Sequence, residues 1–373
     1  MKKLIALMLV LVLVLSLGAC AKTETGTIKI GVLSPTSGAG SVHGVPVKQA
    51  AELAANEINA AGGINGQMIE IIAYDTKGDA TEAVNAYNKL KDEDQVVAIV
   101  GGTYSGATLG FKPLAVADNM PVLSPTATNP EVTLDAPNVF RACYTDAYQG
   151  SVCATFAMEN LGSVQPGVLY NKDDAYSEGL ADSFIAACQA AGVEPVVEAY
   201  AAEDKDFSSQ LSNLDAAGVD VLFVPHYPDT VGPILTQVKN MGLDFICMGG
   251  DGWDGIQENY AAEAEGFYFA NHYSQDDPSE IVQNFIANYT AAYGETPNAL
   301  GALAYDAVYM MANAIAAAGS TDSDAIITAL AATSYDGVTG HIQFDANGDP
   351  IKSIAMIKVV DGKLTLDSKV AAK

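Results

Sequence analysis

Short apolar runs alternate along this chain with longer stretches that carry one apolar face, and that alternation limits the fold more than any other feature. Residues 28–33 read Ile-Lys-Ile-Gly-Val-Leu, a buried strand, and residues 47–60 place Val47, Ala51, Ala54 and Ile58 on one side of a helix that Gly62 and Gly63 stop. Further strands are expected at 69–74, 96–100, 122–124, 166–170, 193–199, 219–224 and 245–249, with helices at 80–91, 106–118, 149–161, 176–191, 207–217 and 230–241. Helices at 278–293, 299–318 and 323–333 follow, and the chain ends in strands at 340–344, 354–360 and 363–366. Such a pattern predicts an α/β fold of parallel sheets with helices on both faces. A length of 373 residues exceeds one ordinary core and suggests two domains. The late surplus of helices implies that the chain crosses back to cover its first sheet, giving two lobes joined by several crossovers.

The start of the chain reads as an address. Lys2 and Lys3 precede an unbroken apolar run over 4–15, the length of a secretory signal core and short of the ~20 residues that span a bilayer. Leu17-Gly18-Ala19-Cys20 follows and resembles a bacterial lipobox, in which the cysteine is lipidated and the peptide is cut before it. Residues 1–19 are then a lipoprotein signal peptide and 20–26 a polar tether. The alternative is an uncleaved anchor helix; either one places the remainder outside the cytoplasm.

With 45 acidic against 18 basic residues, the net charge of −27 argues against nucleic acid as a partner. Beyond Cys20, the cysteines Cys143, Cys153, Cys188 and Cys247 match no CxxC metal or redox spacing, and buried thiols are expected of them ahead of a disulfide. No catalytic motif emerges. The run from Gly38 to Gly44 is GxGxxxG, one residue off the dinucleotide fingerprint, and no acidic residue stands at the right distance. There is no phosphate loop and no GxSxG elbow. His43, His226, His272 and His341 lack zinc spacing, and Asp345 to Asp349 reads as a turn around Asn347-Gly348 rather than a calcium loop. Neither a metal, a cofactor nor turnover is expected.

Polar groups at strand ends remain. Gly101 to Gly106 joins a strand to a helix, and Ser124 to Pro130 follows the next strand. A helix N-terminus with free N–H groups and a hydroxyl can seat a carboxylate, although Ser105 would equally cap its helix and Thr128 stabilise a turn.

In order and spacing, several segments together resemble the leucine/isoleucine/valine-binding family, the amino-acid receptors of ABC importers. They are Ile30-Gly31-Val32 with Ser37-Gly38, Glu57 to Gly66, Tyr74-Asp75, Leu123 to Pro130, Tyr176 to Gly179, Lys205 to Phe207, and Phe344 to Asp349. The resemblance implies a type I periplasmic-binding-protein fold: two Rossmann-like lobes, three interlobe crossovers and a ligand cleft. The expected division is 27–145 plus 272–348 for the first lobe and 146–271 plus 349–373 for the second. It also implies a monomer on the outer face of the cell membrane that serves a permease and its ATPase subunits. A ligand-sensing receptor module and an exported α/β hydrolase are the rival readings.

Carried over by position, Ser105 and the N–H of Thr128 would hold an α-carboxylate. The Thr126 carbonyl, the Thr128 hydroxyl and the Asp251 carboxylate would hold the α-ammonium, and Tyr176 would close from the second lobe. The side-chain pocket departs from the family: His43 stands where a tryptophan is usual, Tyr104 where some members have cysteine, and His226 or Tyr227 where a tyrosine is expected. The class implied is an amino acid, branched-chain or otherwise aliphatic, with a polar side chain or an amide left open.

Overall fold

The computed structural model describes residues 26–371; the signal peptide, Cys20 and all of the tether but Gly26 lie outside the described residues. The first half builds a five-stranded parallel sheet in the order β2-β1-β3-β4-β5 from β1 (Ile28–Ser34), β2 (Ile69–Asp75), β3 (Ala98–Gly101), β4 (Val122–Ser124) and β5 (Val139–Arg141). Helices α1 (Ser41–Ala60), α2 (Ala80–Asn88) and α3 (Ser105–Ala117) connect these strands. The second sheet takes β6 (Pro166–Asn171), β7 (Val196–Tyr200), β8 (Val221–Phe223), β9 (Ile246–Gly249) and β10 (Tyr268–Asn271). Around it lie α4 (Asp146–Thr155), α5 (Ala175–Ala190), α6 (Ser208–Ala216), α7 (Pro228–Met241) and α8 (Gln257–Ala264). Helices α9 (Glu280–Tyr293), α10 (Ala299–Ala318) and α11 (Ser323–Ala331) return to the first core, with the hairpin β11 (Ser334–Gly337) and β12 (Gly340–Gln343). The last described strands are β13 (Ile354–Val360), antiparallel to β10, and β14 (Lys363–Val370), antiparallel to β13.

The second sheet is therefore mixed rather than wholly parallel, because β13 and β14 are joined by a tight turn, which only antiparallel neighbours allow. Strands β5, β10 and β11 and helix α8 were not anticipated; each strand is three or four residues long, too short to show a period. Helix α1 starts at Ser41, six residues before the expected 47, and so takes in the end of the Gly38 to Gly44 run. Local chemistry sets many boundaries. The side chains of Asp79, Thr145, Asp174 and Asn298 accept the N–H that opens α2, α4, α5 and α10. Gly242, Gly294 and Gly319 end α7, α9 and α10 with positive φ.

Helix α10 is long and apolar enough to span a membrane, but it carries Asp306 and is largely buried against α1 and the first sheet. All four cysteines in the described residues are free and buried, and burial pushes their thiols up.

The chain passes between the sheets after β5, after β10 and after β12. Two buried cations tie the first and third of these passages together. Lys352 donates to the carbonyl of Ala142 and to Thr339, and burial pulls its pKa down to about 8. Arg141 is fully buried. Its Nε donates to Asp349 at 2.6 Å, and its other nitrogens reach the carbonyls of Ala127, Asn129 and Pro130 and the Thr133 hydroxyl. Breaking such a buried pair costs about 3–5 kcal/mol because its partners are left unpaired. Arg141→Ala is expected to lose that much in denaturant unfolding, with a lower midpoint at unchanged slope.

Candidate functional site

The two lobes meet at the carboxyl ends of their strands. Thr103, Tyr104, Ser105 and Thr126 of the first lobe's loops, with Leu300 at the start of α10, face Tyr176, Tyr227, Asp251 and Gly252 across one small cavity. A hollow of about 250 Å³ beside the crossovers is larger, but polar side chains on its wall already pair as Lys369 with Asp277 and His341 with Asp336.

Asp251 lies two residues past Gly249, which ends β9, and is almost fully buried. Burial pushes its carboxyl up, but hydrogen bonds from His272, Gln149 and Tyr176 outweigh that and hold it below the usual carboxylate value. His272 Nε2 donates at 2.9 Å, Gln149 Nε2 at 3.0 Å and the Tyr176 hydroxyl at 2.9 Å. Gln149 also takes the Asp251 N–H at 2.7 Å, and Tyr176 takes the Gly252 N–H. Burial lowers the His272 pKa, so its imidazole is a neutral donor stacked on Tyr144 with centroids 3.8 Å apart. All three donors are neutral; the charge is solvated but not cancelled.

Opposite stands the first turn of α3. Its N-cap is Tyr104, with no side-chain cap, so its leading N–H groups lack a capping side chain where Tyr104 and Ser105 line the cavity. That hydroxyl accepts the Asn129 N–H at 3.3 Å. Thr126 lines the cavity while its hydroxyl donates to the Thr103 carbonyl. Thr128 is buried just behind, its carbonyl taken by the Asp146 N–H, and it does not line the wall.

Three phenol rings form the rest. Tyr104 stacks on Tyr227 at 4.1 Å and Tyr227 on Tyr176 at 5.1 Å, all within 16° of parallel. His43 is edge-on to Tyr104 and Tyr227 rather than on the cavity wall. Gly44 next to it comes so close to Pro35 that a Cβ would lie 2.0 Å from that carbonyl, which fixes the entry into α1. Of the pair His226 and Tyr227, only Tyr227 reaches the cavity. His226 sits behind it, 3.3 Å from Asn171.

The family model described as periplasmic binding protein matches residues 27–363. This chain belongs to the periplasmic binding protein family. The binding protein is 31% identical to the Leu/Ile/Val-binding protein homolog 3 of Brucella melitensis over 90% of this chain and 92% of the relative. It is equally similar, at 31%, to the leucine-, isoleucine-, valine-, threonine- and alanine-binding protein of Pseudomonas aeruginosa, over 87% of each chain. In three dimensions it matches a leucine-binding protein of Thermotoga maritima with a TM-score of 0.88 and 31% identity, covering 92% of this chain and 99% of that one. The substrate-binding protein of a branched-chain amino acid transporter from Streptococcus pneumoniae, solved with isoleucine, matches at 0.86 and 32%, covering 93% and 100%. The fold is thus the type I arrangement of this family, a family of binding proteins.

Four groups about the cleft carry no motif: Gln149, His272, Asp254 and Leu300. Asp254 is fully buried, and burial pushes its pKa up to about 7 against the Ala299 N–H and the Asn271 side chain, which lower it. The ordinary carboxylate value is 3.8, so the folded chain holds a proton there between the two values that the unfolded chain does not. The stability from that proton is complete below the unfolded value and is lost as pH rises through about 7. Asp254→Asn cannot ionise. Its melting temperature is expected to match the wild type near pH ~3.5 and to exceed it by a few degrees near pH ~8, read by differential scanning calorimetry.

Proposed function

We propose that this binding protein captures an α-amino acid, branched-chain or otherwise aliphatic, in the cleft between its lobes and presents it to the permease of an ABC importer. One observation carries the reading: a buried, ionised Asp251 and the uncapped N-terminus of α3 with Ser105 face each other across one cavity. A carboxylate on one side and free N–H groups on the other complement a zwitterion. Ser105, with the uncapped first turn of α3, takes the ligand carboxylate. Asp251 and the Thr126 carbonyl take its ammonium, Thr128 backs the wall from behind, and Tyr176 faces both ligand groups from the second lobe while holding Asp251. The relatives' names give leucine, isoleucine and valine, with threonine and alanine added in one, which supports a mainly aliphatic side chain.

The lobes in this reading are 27–145 plus 272–348 and 146–271 plus 349–373, moving as a clamp about the three crossovers. Micromolar affinity requires about 8 kcal/mol, within reach of several charge-assisted bonds and an apolar wall. The chain works as a monomer on the outer face of the membrane, held by lipid on Cys20. Cys20→Ala is expected to move it from the membrane fraction to the soluble one and to abolish labelling by a radioactive fatty acid.

A thermal-shift series against the common amino acids tests the ligand. An amino acid at about 100 times its Kd adds about 2.7 kcal/mol of stability. Asp251→Ala is expected to weaken binding by at least ~30-fold, since an unpaired buried partner costs about 2–5 kcal/mol, while its unfolding stays cooperative. Equal affinity in that variant overturns the assignment of Asp251.

A further inference from the structure

One set of contacts crosses the cleft without touching the cavity wall from the second lobe. Asp254 follows Asp251 by three residues, on a short helical turn whose Trp253 and Ile256 pack into the core of the second sheet. From there it reaches the first lobe at two points. Its carboxylate accepts the Ala299 N–H at 2.6 Å, at the start of α10, and its carbonyl meets His43 Nε2 at 2.7 Å, on α1. Helices α1 and α10 both belong to the core of the first sheet.

The chemistry of these contacts fixes the histidine. A backbone carbonyl can only accept, so Nε2 must carry the proton. Burial lowers the His43 pKa, which keeps the ring neutral and leaves Nδ1 as an acceptor. Nδ1 lies 2.9 Å from the Tyr104 hydroxyl, so that hydroxyl must donate to it. Tyr104 in turn stacks on Tyr227 of the second lobe. The bonds run from the α10 N–H to Asp254, from His43 to Asp254 and from Tyr104 to His43, and the Tyr104 ring then closes on the opposite lobe.

We propose that Asp254 and His43 form an interlobe latch that holds the cleft closed and fixes Tyr104 as the wall beside the ligand side chain. This rests on the clamp reading above. Both residues are positioning residues: neither lines the cavity. Opening the lobes breaks both bonds to Asp254 at once and frees the Tyr104 ring, so the latch governs how fast a bound ligand leaves more than how fast it enters.

Stopped-flow release of leucine, or of whichever amino acid gives the largest thermal shift, tests this on the mature chain. Asp254→Ala and His43→Leu are expected to release ligand at least ~10-fold faster, with association changed less than ~3-fold. Asp254→Asn keeps an acceptor for the Ala299 N–H, and His43→Gln keeps one donor and one acceptor; both are expected to stay within ~3-fold of wild type. Unchanged release in Asp254→Ala and His43→Leu, or equal losses in the conservative and the disruptive variants, would overturn the latch. If the wild type binds no amino acid, the amino-acid reading fails, and hydrogen exchange decides the latch separately. His43→Leu does not touch the Ala299 amide, so faster exchange there supports the latch, and undiminished protection overturns it.

Discussion

The Asp251 carboxylate is the constraint around which the cleft is organised. A charge taken out of water is costly unless its lone pairs are filled, and here three donors fill them from three separate places. Gln149 comes from α4, Tyr176 from α5 and His272 from the crossover after β10. The carboxylate is therefore stable only when both helices and that crossover are in their native places. Because each donor is neutral, the site retains an uncancelled negative charge. A ligand cation gains from that field, and a neutral or anionic ligand does not.

Strand order explains why everything else meets there. In the first sheet, order reverses between β1 and β3, and the segments that follow these strands bear His43, then Tyr104 and Ser105. In the second, order reverses between β6 and β8, and the segments that follow bear Tyr176 and Tyr227. Open α/β sheets offer a crevice at such reversals. Two crevices facing one another give a cavity whose wall is shared, so ligand contact and lobe closure are one event. The crossovers are braced by Arg141 and Lys352, which keep their backbone polar groups paired at the hinge.

Much of this was legible in the sequence, and the limits have physical causes. Strands such as 28–34 and 354–360 and helix 299–318 show a period long enough to read, whereas β5, β10 and β11 borrow their conformation from neighbours and show none. Ser105, Tyr104, Tyr176, Tyr227 and Asp251 lie on recognisable strand ends and do line the cavity. Thr128 and His226 lie beside lining residues, and His43 in the first turn of α1, yet all three sit behind the wall, a matter of side-chain direction that spacing does not encode. Gln149 and His272 stand 102 and 21 residues from the Asp251 they hold, and only tertiary structure brings them together. Asp254 sits beside Asp251 in sequence yet serves the opposite lobe; nothing local distinguishes the two acids.

The substitutions in the side-chain pocket first suggest a polar ligand, since tyrosine and histidine stand where the family has larger apolar or sulfur groups. The hydrogen bonds argue the other way. The Tyr176 hydroxyl is committed to Asp251 and Gly252, and the Tyr104 hydroxyl to His43. His43 spends both of its nitrogens, one on Tyr104 and one on Asp254. What these residues leave for a ligand side chain is ring face, with Leu300 beside it. A polar side chain entering that space would lose water without finding a partner, a cost of about 1–3 kcal/mol per unsatisfied group, whereas each buried methylene gains about 0.8 kcal/mol. At Tyr104, Tyr176 and His43 the polar atoms are already satisfied and the wall they make is apolar, which favours an aliphatic amino acid; the Tyr227 hydroxyl is the phenol that these bonds do not engage.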